Sequence, residues 1–236
     1  MRNSPAPHPT TITLIAAALT VASIAATAAF IIGRYPAIPL ALPVHFRAGR
    51  PDVFMVKTYW LAMMPFWTQL MLVVVIGSVA ALLLYRAPAP EDEESTKHRD
   101  RMLQSAEAIS LLGFVWISFQ LVTAQALIEV WRRYRPGMGR FYNVALITCV
   151  VLSVVIGARA ALKIGRPVAD TAGNQALWRF KALYFNPADP ALFVPARYGY
   201  GLTLNFGRPL AIALMLAILL GGLGGPFLLA RFLLRY

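Results

Sequence analysis

His45 and Asp52 stand in the first polar stretch of the chain and are of types that hold metals or move protons. Zinc takes about four ligands, usually several of them His or Cys, and the chain carries only 3 His and 1 Cys. His98 lies beyond the next apolar run, on the side expected to oppose His45. No metal site and no cofactor are therefore expected. The stretch reads better as a shaped loop. Pro36, Pro39, Pro43 and Pro51 force an extended path, Gly49 permits a turn of positive φ, and Asp52 is expected to cap the following helix. His45 would then hydrogen-bond this loop to a neighbouring element.

A second polar set lies on the apolar run near 106–131. At about 100° per residue, Gln104, Glu107, Ser118, Gln125 and Glu129 fall within a sector of about 60°. Ionisable groups at membrane depth are costly and usually face a bundle interior or an aqueous cavity. Ser118 and Gln125 are the deeper members; Glu107 and Glu129 lie near the ends. Three readings stay open: polar glue between helices, interfacial carboxylates, or the wall of a solute pathway. Arg159 is placed either to pair with one of the two glutamates or to extend to the headgroups.

Further along, Asn186-Pro187 and Asp189-Pro190 are turn initiators whose polar side chains close local turns. Phe185, Phe193, Val194 and Tyr198 alternate with small or polar groups, as in a segment lying at an interface. A surface lid on the helix ends is expected here. The alternative is a ligand or headgroup site built from Arg197, Asn205 and Arg208. Gly199-Tyr200-Gly201 lacks the strand, helix and Lys of a phosphate loop. With no hydrolase elbow and no paired carboxylates either, the chain is not expected to be an enzyme.

Apolar runs must position these groups. The chain is 58% hydrophobic and 14% charged, with mean hydropathy +0.62, whereas a soluble domain carries about 25% charged residues. A bilayer core about 30 Å thick needs about 20 apolar residues in a helix. Five runs reach that length, at about 10–33, 58–85, 106–131, 141–162 and 209–234. The expected fold is an all-α, multi-pass membrane bundle of five helices. Its parts are a first helix pair with the proline-rich loop (1–85), a polar linker (86–101), a central helix pair (102–163), and a lid segment plus last helix (164–236).

Ala26-Thr27-Ala28 resembles a signal-peptidase site, but the apolar run continues through Ile32, and the first run is read as a retained helix. Gly221, Gly222, Gly224, Gly225 and Pro226 would allow close packing or a kink in the fifth. The net charge of +12 sits mainly at the ends of apolar runs. That placement suits anionic headgroups and offers no aromatic-interleaved basic patch for stacking bases. The bilayer, not nucleic acid, is the expected partner. Lys and Arg divide almost evenly between the two sides, and the cluster Arg132-Arg133-Tyr134-Arg135 argues against a cytoplasmic N-terminus.

Two segments carry a family resemblance. Leu42-Pro43-Val44-His45-Phe46-Arg47, followed by Gly49, Pro51, Asp52 and Lys57, resembles the Pro-x-His-Phe loop domain of unknown function found in SdpI-like bacterial membrane proteins. Arg47 stands where that family usually has Asn. Asn186-Pro187-Ala188-Asp189-Pro190, Phe193-Val194 and Gly201-Leu202-Thr203-Leu204-Asn205-Phe206 are similar to a second uncharacterised domain that often accompanies the first. The resemblance implies a bacterial inner membrane protein with a cytoplasmic N-terminus, with a role in immunity to, or sensing of, a secreted peptide or envelope stress. It points to His45, Phe46, Asp52, Lys57, Asn186, Asp189 and Asn205 as functional. An accessory subunit of a larger membrane complex and a small transporter or lipid-handling protein are the competing expectations.

Overall fold

The computed structural model describes residues 8–164, 175–180, 183–195 and 202–219. Four of its helices are long and apolar enough to cross a membrane. Helix α1 spans Thr11–Arg34, and its N-cap Thr10 accepts a hydrogen bond from the Thr13 N–H. The second apolar run is broken. Thr58 caps a single turn, α2 (Tyr59–Ala62), and the long helix α3 (Met64–Arg86) starts afresh with Pro65 in its first turn. Pro65 has no N–H to give and its ring crowds the carbonyl four residues back, so the helix restarts at this point.

Helix α4, Glu93–Arg133, is 41 residues long. At about 1.5 Å per residue it measures roughly 60 Å, twice the hydrocarbon thickness. The stretch read as a polar linker is therefore helical from Glu93 onward. A capping box starts it: the Asp92 carboxylate accepts from the Ser95 N–H at 2.6 Å, and the Ser95 hydroxyl accepts from the Asp92 N–H at 3.0 Å. Lys97 pairs with Glu93 one turn below. Helix α5 runs Gly139–Ile164, and α6 begins at Pro209 and is described to Leu219. The glycine-rich remainder of the fifth run, 220–234, lies outside the described residues.

Helix α4 is the axis of the bundle and packs against α1, α3 and α5. A Cβ added to Gly113 of α4 would sit 2.9 Å from Ile76 Cγ2, so α3 and α4 approach closely there. One apolar core, including Ile31, Leu42, Leu61, Ile128 and Trp131, gathers where α1 ends, α3 begins and α4 ends. Another, including Leu83, Met102, Ala106, Phe193 and Leu214, gathers at the opposite end. Between them Val21, Val74 and Val154 face outward from α1, α3 and α5. Such exposed apolar faces are stable against lipid and not against water.

The all-α expectation needs correction, because the described residues hold three small antiparallel sheets. Strands β1 (Ala41–Arg47) and β2 (Arg50–Val56) form a hairpin over one end of the bundle. Its two-residue turn, Ala48 at φ 49° and Gly49 at φ 80°, has the double positive φ of a type I′ turn, which matches strand twist. At the other end, β3 (Trp178–Arg179) pairs with β4 (Leu183–Tyr184), and β5 (Phe193–Pro195) pairs with β6 (Leu202–Leu204).

Candidate functional site

At the hairpin end, the register slips twice in β1 between Pro43 and Phe46. Val44 and Phe46, two residues apart on β1, share the face toward the helices, while His45 between them stays exposed. His45 Nδ1 lies 2.6 Å from Asp52 Oδ1, across the hairpin. His45 therefore ties the two strands together rather than bridging to another element. The expected helix cap at Asp52 is likewise corrected. Thr58, directly beside the helix, accepts the Leu61 N–H at 3.1 Å.

Lys57 fastens the base of the hairpin. Its ammonium donates to the Ile38 carbonyl at 2.8 Å and to the Tyr35 carbonyl at 3.4 Å, and it stands 4.6 Å from the Tyr35 ring centre. Tyr35 in turn stacks on Tyr59 at 3.9 Å. These contacts join the end of α1 to the start of α2 through one cation. Beneath the hairpin lies a cavity of about 190 Å³, walled by Val44 and Phe46 of β1, Met64 of α3, Leu127 and Trp131 of α4, and Met138 just before α5. Phe54 of β2 meets Tyr134 at the far end of α4, with ring centres 6.1 Å apart. Arg132, Arg133, Arg135 and Arg140 surround that turn, and Glu129 pairs with Arg133 at 2.6 Å and faces Arg132 at 3.8 Å.

The helix stripe does not act as one surface. Glu107 is 5% exposed. Its carboxylate accepts from the Thr10 hydroxyl at 2.8 Å and pairs with Arg159 at 2.8 Å and Lys163 at 3.4 Å. One group thereby links the start of α1, the body of α4 and the end of α5. Ser118 has a buried hydroxyl with no partner, Gln104 Oε1 likewise, and Gln125 is exposed. Glu129 sits with its arginines near the hairpin. None of these residues lines the cavity.

A polar node that the sequence reading did not single out sits deeper. Gln69 of α3 is fully buried, and its amide donates to Thr27 Oγ1 of α1 and to the Ile117 carbonyl of α4, each at 2.8 Å. Its Oε1 has no partner. A lone Gln inside the second apolar run was the available signal.

At the lid end, Asn205 is the organising residue and is fully buried. Its amide nitrogen donates to the carbonyls of Asn186, Ala191 and Asp189 at 2.9, 3.1 and 3.2 Å. Its Oδ1 accepts from the Asn186 and Gly207 N–H groups, each at 3.0 Å. Asn186 and Asp189 close their own turns, accepting from the N–H groups of Ala188 and Ala191. Arg208 Nε donates to the Asp189 carbonyl at 2.8 Å. A Cβ on Gly207 would fall 2.5 Å from the Asn186 carbonyl carbon, so only glycine fits beside this turn. Asn205 and Arg208 are thus engaged by the backbone, and Arg197 lies outside the described residues.

One family model matches this knot. It is described as a family of unknown function, DUF5808, and it covers residues 187–212. The match spans Asp189, Asn205, Gly207 and the start of α6 and carries no activity with it. No curated protein and no solved structure matches the chain. At the hairpin end an apolar cavity and the exposed arginines of the α4–α5 turn lie together. Among the described lid residues, Asn186, Asp189 and Asn205 spend their polar groups on the local backbone.

Proposed function

We propose that this chain is a five-span protein of the bacterial cytoplasmic membrane, SdpI-like in kind, whose hairpin end meets a secreted peptide or other envelope stress agent. The role is immunity to that agent or sensing of it. The observation that carries the reading is the cavity beneath the hairpin, with Phe46 of the Pro-x-His-Phe motif in its wall. A partly exposed apolar recess on a membrane protein suits an amphipathic agent arriving along the bilayer surface. The fifth span rests on α6, apolar as far as it is described, and on the run that continues to 234. A cytoplasmic N-terminus would place the hairpin outside, where a secreted agent arrives.

The test is a deletion strain challenged with a panel of secreted peptides and envelope-active compounds. Sensitisation is expected, with rescue by the wild-type gene but not by Val44→Trp, which fills the cavity while the protein still reaches the membrane at normal abundance. Unchanged sensitivity across the panel overturns the reading. A second reading, an accessory subunit, is favoured by α5, which packs along α4 and leaves most of its surface outward. Purification from mild detergent as a lone monomer would count against it.

A further inference from the structure

We propose that the hairpin-end cavity holds an acyl-chain segment of an anionic phospholipid whose phosphate is bound by Arg135 and Arg140. The inference goes beyond the recognition role proposed for this end: it concerns the membrane lipid that occupies the recess and stands on its own test.

Depth is the first argument. Tyr59, Trp60, Trp67 and Tyr134 are exposed around this end of the bundle, and such aromatic residues settle at headgroup level. The cavity therefore opens where a lipid's glycerol and phosphate lie. Shape is the second. A volume of about 190 Å³ falls below the roughly 300 Å³ at which pockets begin to enclose a drug-sized molecule. It has room for a stretch of one chain, not for a folded ligand. The wall is apolar, with Met64 and Met138 able to adapt to a flexible chain.

Charge decides the class. The turn that carries Met138 into the wall also carries Arg132, Arg133, Arg135 and Arg140. Glu129 engages the first two. Arg135 and Arg140 are exposed and have no ion pair among the described residues. Two unspent guanidinium groups beside an apolar recess match a phosphate attached to a hydrocarbon chain, since Arg binds phosphate through a planar fork of donors. A cationic amphipathic peptide meets the same two charges as repulsion.

The experiment is native mass spectrometry of the full-length protein released from nanodiscs of mixed phosphatidylglycerol and phosphatidylcholine. The expected result is preferential retention of phosphatidylglycerol. Arg135→Ala with Arg140→Ala removes two favourable contacts with an anionic surface and is expected to lower that preference about thirtyfold. Met138→Trp, which fills the recess and leaves the arginines in place, is expected to lower retention of both lipids. Equal retention of the two lipids by wild type, or a preference unchanged in the double arginine variant, overturns the proposal. Retention of an added cationic amphipathic peptide in place of lipid overturns it as well. The outcomes separate the two readings. Lipid retention with no stress phenotype on deletion removes the recognition role alone, and a phenotype without lipid preference removes the lipid alone.

Discussion

Glu107 and Gln69 are both buried polar residues at helix junctions, yet stripping away their surroundings has different consequences for a charged group and a neutral one. Glu107 is charged, and its compensation comes from Arg159 and Lys163, which are themselves partly exposed. Taking both cations away leaves a buried carboxylate with only the Thr10 hydroxyl. Arg159→Ala with Lys163→Ala is therefore expected to destabilise the protein by on the order of 3 kcal/mol, whereas Glu107→Leu costs less because nothing charged stays buried. Thermal unfolding in detergent, compared across the two variants, checks the order. Gln69 is neutral and donates two hydrogen bonds while its own oxygen goes unsatisfied. Side-chain hydrogen bonds between membrane helices average about 0.6 kcal/mol, and an unsatisfied buried acceptor costs about 1–3 kcal/mol. Thr27 keeps its bond to the Ser23 carbonyl, and the Ile117 carbonyl stays within its helix. Gln69→Leu is accordingly expected to be neutral or stabilising, and a drop in melting temperature comparable to that of the double cation variant would refute this balance.

Helix α4 and the lid show how local chemistry sets the ends of elements. Hydrogen bonding to Ser95, first through its backbone N–H and then through its side chain, holds the Asp92 carboxyl below the usual carboxylate range. A lowered folded value means that the cap contributes stability above the ordinary Asp range and loses it as pH falls through the lowered value. The Ser95 amide resonance is expected to shift and exchange faster through that acid window, and Asp92→Asn, which still caps, is expected to remove the pH dependence. In the lid, Gly207→Ala drives a methyl into the Asn186–Pro187 backbone. Loss of protease resistance at the Asn186–Asp189 turns, with α1–α5 still folded, is the expected outcome.

How much of this was written in the sequence differs by element. Apolar length is a one-dimensional signal, so four spans were legible, and Gly49 marked a turn of positive φ without revealing the strands on either side of it. The start of α4 was missed because its capping box lies in a charged run that reads equally well as a solvated linker. Asp52 was misread because its partner, His45, is brought opposite only by strand pairing. The cavity was not legible at all, since its wall comes from three separate stretches of chain. Asn205 stood out by type and spacing, but its task, tying carbonyls 14 to 19 residues upstream, belongs to the folded lid.

For the whole molecule, the Thr10–Glu107–Lys163 cluster puts the start of α1 and the end of α5 at the lid end. The Phe54–Tyr134 contact puts the hairpin with the α4–α5 turn at the other. The two motif-bearing segments thus sit at opposite ends of the bundle. Two forces then disagree on orientation. The family resemblance favours a cytoplasmic N-terminus and an outer hairpin, while the four arginines at and flanking the α4–α5 turn favour a cytoplasmic hairpin under the positive-inside rule. The span count is a separate question with its own signature, because an odd number puts the two chain ends on opposite faces. Single cysteines at Ala48, Ala188 and Tyr236, each in a Cys149→Ser background, answer both with a membrane-impermeant thiol reagent on intact cells. Five spans predict that Ala48 and Tyr236 positions label together and Ala188 does not share their side. A cytoplasmic N-terminus predicts that the labelled pair is the one exposed outside. If Tyr236 instead labels with Ala188, the last apolar run returns without crossing and the fifth span is wrong. If only Ala188 labels, the arginines outweigh the resemblance, and the hairpin recess faces the cytoplasmic leaflet.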